Sequence, residues 1–366
     1  MLVALLTFCA WVYLCLAHGN FWRSSPELRA AAPAHLPDVD IVIPARDEAQ
    51  TIGPVIASLL RQDYAGRFQV ILVDDASTDG TAAAAGTAPN LIVIGAEPKP
   101  DGWSGKLWAL RQGVARGSAP LFLFADADIV HDPRHLSALV ARLELPHAEM
   151  VSEMVRLNCT SLAERALIPA FVYFFQMLYP FAKVNDPRSR VAAAAGGTVL
   201  IRRQTLDRIG GIDAIKGALI DDVALAKAVK TLGPIYLGHS GLAASIRAYP
   251  DFSAIRQMIS RTAFTQLRHS ALLLVLTLVG LSVVWIAPVW EIAFGRGWAF
   301  GLGLGAFLLA TASYLPTLAR YRQNPLWSLA LPLIALFYMA ATLGSALNHW
   351  LGRGTLWKDR AYRTGT

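Results

Sequence analysis

Residues 271–290, ALLLVLTLVGLSVVWIAPVW, run for twenty positions without a charged side chain. About twenty apolar residues in a helix cross the roughly 30 Å hydrocarbon core of a bilayer. This run therefore excludes a chain that folds wholly in water. Two further apolar runs follow, at 298–315 and 326–347, with the charged break ARYRQN (319–324) between them. About three transmembrane helices are expected over 271–347. At the other end, MLVALLTFCAWVYLCLA (1–17) also carries no charge. It lacks the basic start and small-residue cleavage site of a secretory signal, so it reads as a retained N-terminal transmembrane anchor. The flank HGNFWR and Arg29 add positive charge and aromatic residues. That places residue 18 onward on the cytoplasmic side. Residues 18–38 read as a linker. The tail 348–366 is basic, which favours the inside, whereas one anchor and three spans would leave it outside. The sequence leaves that point open.

Charged residues make up only 16% of the chain and hydrophobic residues 54%, which excludes a disordered polymer. The net charge of +7 suits a surface of anionic headgroups. The basic residues are scattered, so nucleic acid is not an expected partner. Three cysteines make no disulfide framework.

Residues 39–250 hold most of the acids and read as a water-facing α/β domain. Short apolar strands are expected at 39–44, 68–75, 91–95 and 120–128, with helices at 51–62 and 106–117 between them. Alternating strands and helices imply a parallel sheet covered on both faces. Ligands of such sheets bind at the carboxyl ends of the strands. Inside this region, ALIPAFVYFFQMLYPFA (166–182) reads as an interfacial helix or hairpin. Residues 251–270 read as an amphipathic interfacial helix carrying Arg256, Arg261 and Arg268.

Four acidic clusters carry the candidate chemistry. Pro44-Ala45-Arg46-Asp47-Glu48 lies between a strand and a helix, where backbone N–H groups can meet a nucleotide. Val73-Asp74-Asp75-Ala76-Ser77-Thr78-Asp79-Gly80-Thr81 ends the next strand. Asp74 and Asp75 can accept hydrogen bonds from ribose or base, while Asp79 suits a helix cap. Asp126-Ala127-Asp128 ends another strand. Two carboxylates there suit Mg²⁺ or Mn²⁺, with substrate phosphates as further ligands. Asp221-Asp222 opens a helix, where one acid can serve as a general base. Lys106 is a candidate diphosphate contact, with a solvated lysine as the alternative. A dinucleotide-binding Rossmann turn would need G-x-G-x-x-G after the first strand; P-A-R-D-E stands there instead.

Taken in order, with Gly196-Gly197-Thr198 and Arg202 between the last two, these motifs resemble the family 2 glycosyltransferases. Those have the GT-A fold, a Rossmann-like α/β domain for nucleotide-diphospho-sugars. The resemblance runs from about Val39 to Arg268. It implies that Pro44, Ala45, Arg46, Glu48, Asp74, Asp75, Lys106 and Asp126 bind a nucleoside-diphosphate sugar, usually a UDP-sugar. It implies that Asp126 and Asp128 hold a divalent cation, and that Asp222, with Asp221 beside it, is the base of an inverting transfer. D-D stands where the family mostly has E-D. Membrane-bound members carry Q/R-x-x-R-W. Here Met258-Ile259-Ser260-Arg261-Thr262 keeps only Arg261, a candidate diphosphate or acceptor contact, which argues against a processive polymerase. Gly19-Asn20-Phe21-Trp22, Gly102-Trp103-Ser104-Gly105-Lys106-Leu107-Trp108 and Trp357-Lys358-Asp359-Arg360-Ala361-Tyr362 resemble the bacterial hopene-associated glycosyltransferases, relatives of ceramide glucosyltransferase. A lipid acceptor, hopanoid or otherwise, is implied, on a multi-pass protein of the bacterial cytoplasmic membrane whose catalytic domain faces the cytoplasm. A processive polysaccharide synthase and a non-catalytic sugar-nucleotide-binding membrane protein remain as alternatives.

Overall fold

The computed structural model describes residues 1–145, 148–352, 355–357 and 360–362. It divides into two compact units. The α/β unit comprises Ser25–Asn158 and Lys183–Ala248. The helical unit comprises Met1–Ser24, Cys159–Ala182 and Tyr249–Arg363.

The α/β unit is built on one sheet. Its strands are β1 (Glu27–Leu28), β2 (Val39–Ala45), β3 (Phe68–Asp74), β4 (Leu91–Gly95), β5 (Leu121–Ala125), β6 (Ile129–His131), β7 (Met150–Arg156), β8 (Thr198–Arg202) and β9 (Ile235–Ser245). They lie in the order β1-β9-β7-β8-β5-β2-β3-β4, with β6 paired to β9. Every residue of β2 is buried, as a strand covered on both faces requires. Ile41, Ile43, Leu72 and Leu123 from three neighbouring strands pack with Ile52, Val55 and Leu136 from the helices. One carboxylate, Asp40, sits inside this layer. It is tolerated because it accepts from Gln69 Nε2 (2.6 Å), Ser118 N (2.6 Å) and Ala119 N (2.7 Å). A Cβ on Gly117 would come within 2.4 Å of Asp40 Oδ2, so that turn needs glycine.

The expected parallel sheet holds for β2, β3, β4 and β5. It does not hold throughout. β8 runs antiparallel between β5 and β7. Antiparallel pairing sets the end of β5 against the start of β8, with Ala125 opposite Thr198. The D-A-D and G-G-T motifs are thereby neighbours, and Asp126 N donates to Gly197 O at 3.1 Å.

Among the described residues the helical unit has three helices long and apolar enough to cross a membrane: Ala271–Phe294, Trp298–Arg320 and Pro325–Trp350. Leu2–Leu16 has 15 residues, about 22 Å of helix, which is shorter than the roughly 30 Å hydrocarbon core. It packs on the first of the three. Trp11 meets Trp285 edge-on at 4.8 Å. Thr7 Oγ1 and Trp11 Nε1 donate to Val283 O (3.0 Å) and Val284 O (2.8 Å), carbonyls within a π-turn at Ser282–Ile286. A widened turn displaces its carbonyls from regular helix bonding, and these two side chains supply donors there. The apolar stretch expected at 166–182 is the helix Leu162–Leu178, started by a capping box between Ser161 and Glu164. The stretch expected as one helix over 251–270 is split into Phe252–Ser260 and Ala263–Gln266. Arg268 and His269, both with positive φ, follow the second. Within the basic tail, Lys358 and Asp359 lie outside the described residues.

Candidate active site

The first two acidic motifs fold into one double turn. Arg46 Nη1 donates to Asp75 O at 2.5 Å. Asp47 N donates to Ser77 Oγ (2.9 Å), and Thr78 N returns a bond to Asp47 Oδ1 (2.8 Å). Glu48 N donates to Thr81 Oγ1 at 2.8 Å. Asp79 Oδ2 accepts from Ala49 N at 2.9 Å and so caps the helix Ala49–Leu60 from across the turn. The expected capping role of Asp79 is thus realised on the preceding helix as well as at Thr81. Asp74 accepts from the Ser77 amide at 3.1 Å and from its hydroxyl. Ala76 takes φ +53°, a left-handed conformation uncommon for alanine. Strain of that kind persists where surrounding bonds over-determine the turn, as they do here.

The other motifs meet around a pocket. Its lining includes Pro44, Lys106, Asp126, Gly196, Asp221 and Asp222. Lys106 is in the first turn of the helix Gly105–Arg116, which Ser104 caps. Its Nζ lies 2.9 Å from Asp126 Oδ1 and 3.2 Å from Asp221 Oδ2. Burial disfavours the ammonium, but the two carboxylates outweigh that and hold it protonated above the usual lysine range. Lys106 is thus held between two carboxylates. Burial also raises the Asp126 carboxyl, against the pull of Lys106.

Asp221 and Asp222 both fall in the first turn of the helix Asp221–Lys230. Only Asp221 is paired to Lys106. Asp222 Oδ1 accepts from its neighbour's amide, Val223 N, at 2.8 Å. Burial, then the Asp221 charge, push the Asp222 carboxyl up to about 7, with Lys106 pulling the other way. A Cβ on Gly196 would stand 3.3 Å from Asp222 Oδ2 and 3.4 Å from Lys106 Nζ. The bare backbone of the G-G-T turn thus closes tightly over both groups.

Sequence reasoning missed Arg247. It follows β9 by two residues and reaches across two motifs. Nε donates to Asp128 Oδ2 and Nη2 to Glu48 Oε1, both at 2.5 Å. No periodicity or local motif singles it out, because its partners are distant in the chain. Arg261, the remaining candidate, is the C-cap of Phe252–Ser260 in the helical unit.

Asp126 and Asp128 supply hard oxygen donors two residues apart. Among the described residues no group of three or more His, Cys, Asp or Glu side chains could hold a metal ion. Two carboxylates are a donor set that could hold a divalent cation shared with substrate phosphates.

Residues 40–210 match the family model described as Glycosyl transferase family 2. Over 89 residues the chain is 35% identical to 4,4'-diaponeurosporenoate glycosyltransferase of Staphylococcus aureus (strain MRSA252), which is 24% of this chain and 23% of that protein. The chain therefore spans less than a quarter of that relative's length. In fold it is similar to the mannosyltransferase PcManGT of Pyrobaculum calidifontis, solved with GDP-Man and Mn²⁺. The TM-score is 0.59 and the identity 20%, over 96% of this chain and 99% of that one.

Proposed function

We propose, from the match of residues 40–210 to the family 2 glycosyltransferase model and a fold of the GT-A kind, a membrane-bound, inverting transfer of one sugar from a nucleoside-diphosphate sugar to a lipid hydroxyl. The observation that carries this reading is the cluster around Lys106. Acids from the ends of β5 and the start of the helix Asp221–Lys230 meet on one ammonium, and the acid left unpaired by it is the one pushed up to about 7. A general base is most effective when its pKa lies near the working pH.

The roles follow from the chemistry. The double turn of Pro44–Glu48 with Asp74 and Asp75 holds the nucleoside. Asp126 and Asp128 hold a divalent cation on the diphosphate. When bound, that cation offsets the charge growing on the leaving group. Lys106 holds Asp126 and Asp221 in place by ion pairing, and its own charge faces the same leaving group. The Asp222 carboxylate takes the proton of the acceptor hydroxyl. The hydroxyl oxygen forms a bond to the anomeric carbon as the carbon–oxygen bond to the diphosphate breaks, and the nucleoside diphosphate leaves with the electron pair. Attack opposite the leaving group inverts the anomeric centre.

The lipid acceptor is supported by the three long apolar helices and by the name of the S. aureus relative. The resemblance carried by the Gly19–Trp22 and Gly102–Trp108 motifs implies a hopanoid or another polyprenyl-derived or sphingolipid-like acceptor. We place Leu2–Leu16 as a membrane anchor, the α/β unit in the cytoplasm and Arg261 at the acceptor or diphosphate. The test incubates the full-length protein in detergent with a bacterial lipid extract and labelled UDP-sugars or GDP-mannose, with and without Mn²⁺. The reading expects one labelled lipid whose formation needs Mn²⁺ or Mg²⁺. No labelled lipid with any donor refutes it.

A further inference from the structure

Arg247 stands where three stretches of chain converge. The ladder between β6 and β9 continues past Ser245, with Ile246 N donating to Asp128 O at 2.9 Å. Backbone bonding therefore fixes Arg247 beside the D-A-D turn. Its side chain is 35% exposed, against 12% for Asp128 and 10% for Glu48. The guanidinium is thus the more exposed partner, laid over two largely buried carboxylates. Glu48 is held from behind by Thr51 Oγ1, which donates to Oε2 at 3.0 Å.

We infer that Arg247 is the exchangeable counter-ion of this site. It neutralises Asp128 and Glu48 while no donor is bound. It gives up Asp128 when a divalent cation arrives with a nucleoside diphosphate, and its guanidinium turns to the diphosphate. An uncompensated carboxylate in this setting is costly. A guanidinium fits phosphate oxygens as well as it fits carboxylate oxygens, so one side chain serves both states. A cation alone must compete with Arg247 for Asp128. A cation arriving with a diphosphate leaves the guanidinium a new partner. Cation and nucleotide therefore favour each other's binding, and that coupling is reciprocal. The inference rests on the reading of Asp126 and Asp128 as cation-holding acids.

The test uses the full-length protein in detergent. Mn²⁺ is titrated without nucleotide and free Mn²⁺ is read by electron paramagnetic resonance. UDP and GDP are then titrated calorimetrically in saturating Mn²⁺. R247Q should bind Mn²⁺ alone about fivefold more tightly, because a competing positive charge is gone. It should bind the nucleoside diphosphate about tenfold more weakly, because a charge-assisted contact is gone. R247K should shift both in the same directions by less, and it carries the test should R247Q fail to fold. An arginine that merely positions Asp128 predicts the opposite sign for Mn²⁺. Unchanged or weaker Mn²⁺ binding, or unchanged nucleotide binding, overturns the inference alone. A wild-type protein that binds no Mn²⁺ with either nucleotide overturns the reading of Asp126 and Asp128, and this inference with it.

Discussion

Two adjacent aspartates at one helix start face different surroundings. Asp221 is ion-paired to Lys106 at 3.2 Å, and Asp222 is not. With Asp222 as the base, Asp222→Asn should lower kcat by at least about 10²-fold. Nucleotide affinity, measured by calorimetry, should barely move. Asp221→Asn should cost less, through Lys106. An Asp222→Asn enzyme with near-normal kcat would sink the base assignment. The same carboxyl sets a pH signature. In the folded chain it titrates near 7, against an ordinary value of 3.8. The folded state therefore binds a proton that the unfolded chain has released, and stability falls as pH rises from about 4 to about 7. Activity needs the ionised form and rises through the same window. Rate profiles and thermal melts across that range should slope in opposite directions, and Asp222→Asn should remove this group's share of the stability slope. The four acidic clusters were legible in the sequence because carboxylates at strand ends have few structural reasons to gather. Arg247 was not, because its importance lies only in bonds to residues far away in the chain.

Among the elements, the helix Gly105–Arg116 depends on close approach to the sheet. A Cβ added at Gly113 would come within 2.2 Å of Val42 Cγ1 and 3.1 Å of Val73 Cγ2. Both valines are fully buried and have little room to yield. Gly113→Ala should destabilise the α/β unit by about 1–3 kcal/mol. Gly95→Ala is the control, because nothing lies within 4 Å of its added Cβ. Apparent melting midpoints should fall for the first and hold for the second. The strands β2 to β5 and the first helices were legible because apolar runs alternate with amphipathic stretches there. The reversal at β8 was not. A buried strand of five residues reads the same in either direction, and only its partners fix which way it runs. The early start of Leu162–Leu178 was written in the sequence as Ser161 and Glu164, a capping box that sets the helix boundary.

For the whole molecule, three long apolar helices predict firm membrane residence. The protein should stay in the membrane pellet through an alkaline carbonate wash and enter solution only with detergent. Release by carbonate would exclude spanning helices. The loss of Q/R-x-x-R-W around Arg261 predicts a single sugar on each lipid. Thin-layer chromatography should show one product, and a ladder would restore the processive alternative. The chain also visits its two units in alternation, and this orders events on the ribosome. β5 and β7 are made before the apolar helix Leu162–Leu178, while β8, which lies between them in the sheet, is made after it. Until β8 and then β9 emerge, β5 keeps one open edge and β7 two, and open edges invite pairing with other chains. Prompt synthesis of the segment after that helix shortens the exposure, and a stall there should appear first as aggregation of the α/β unit.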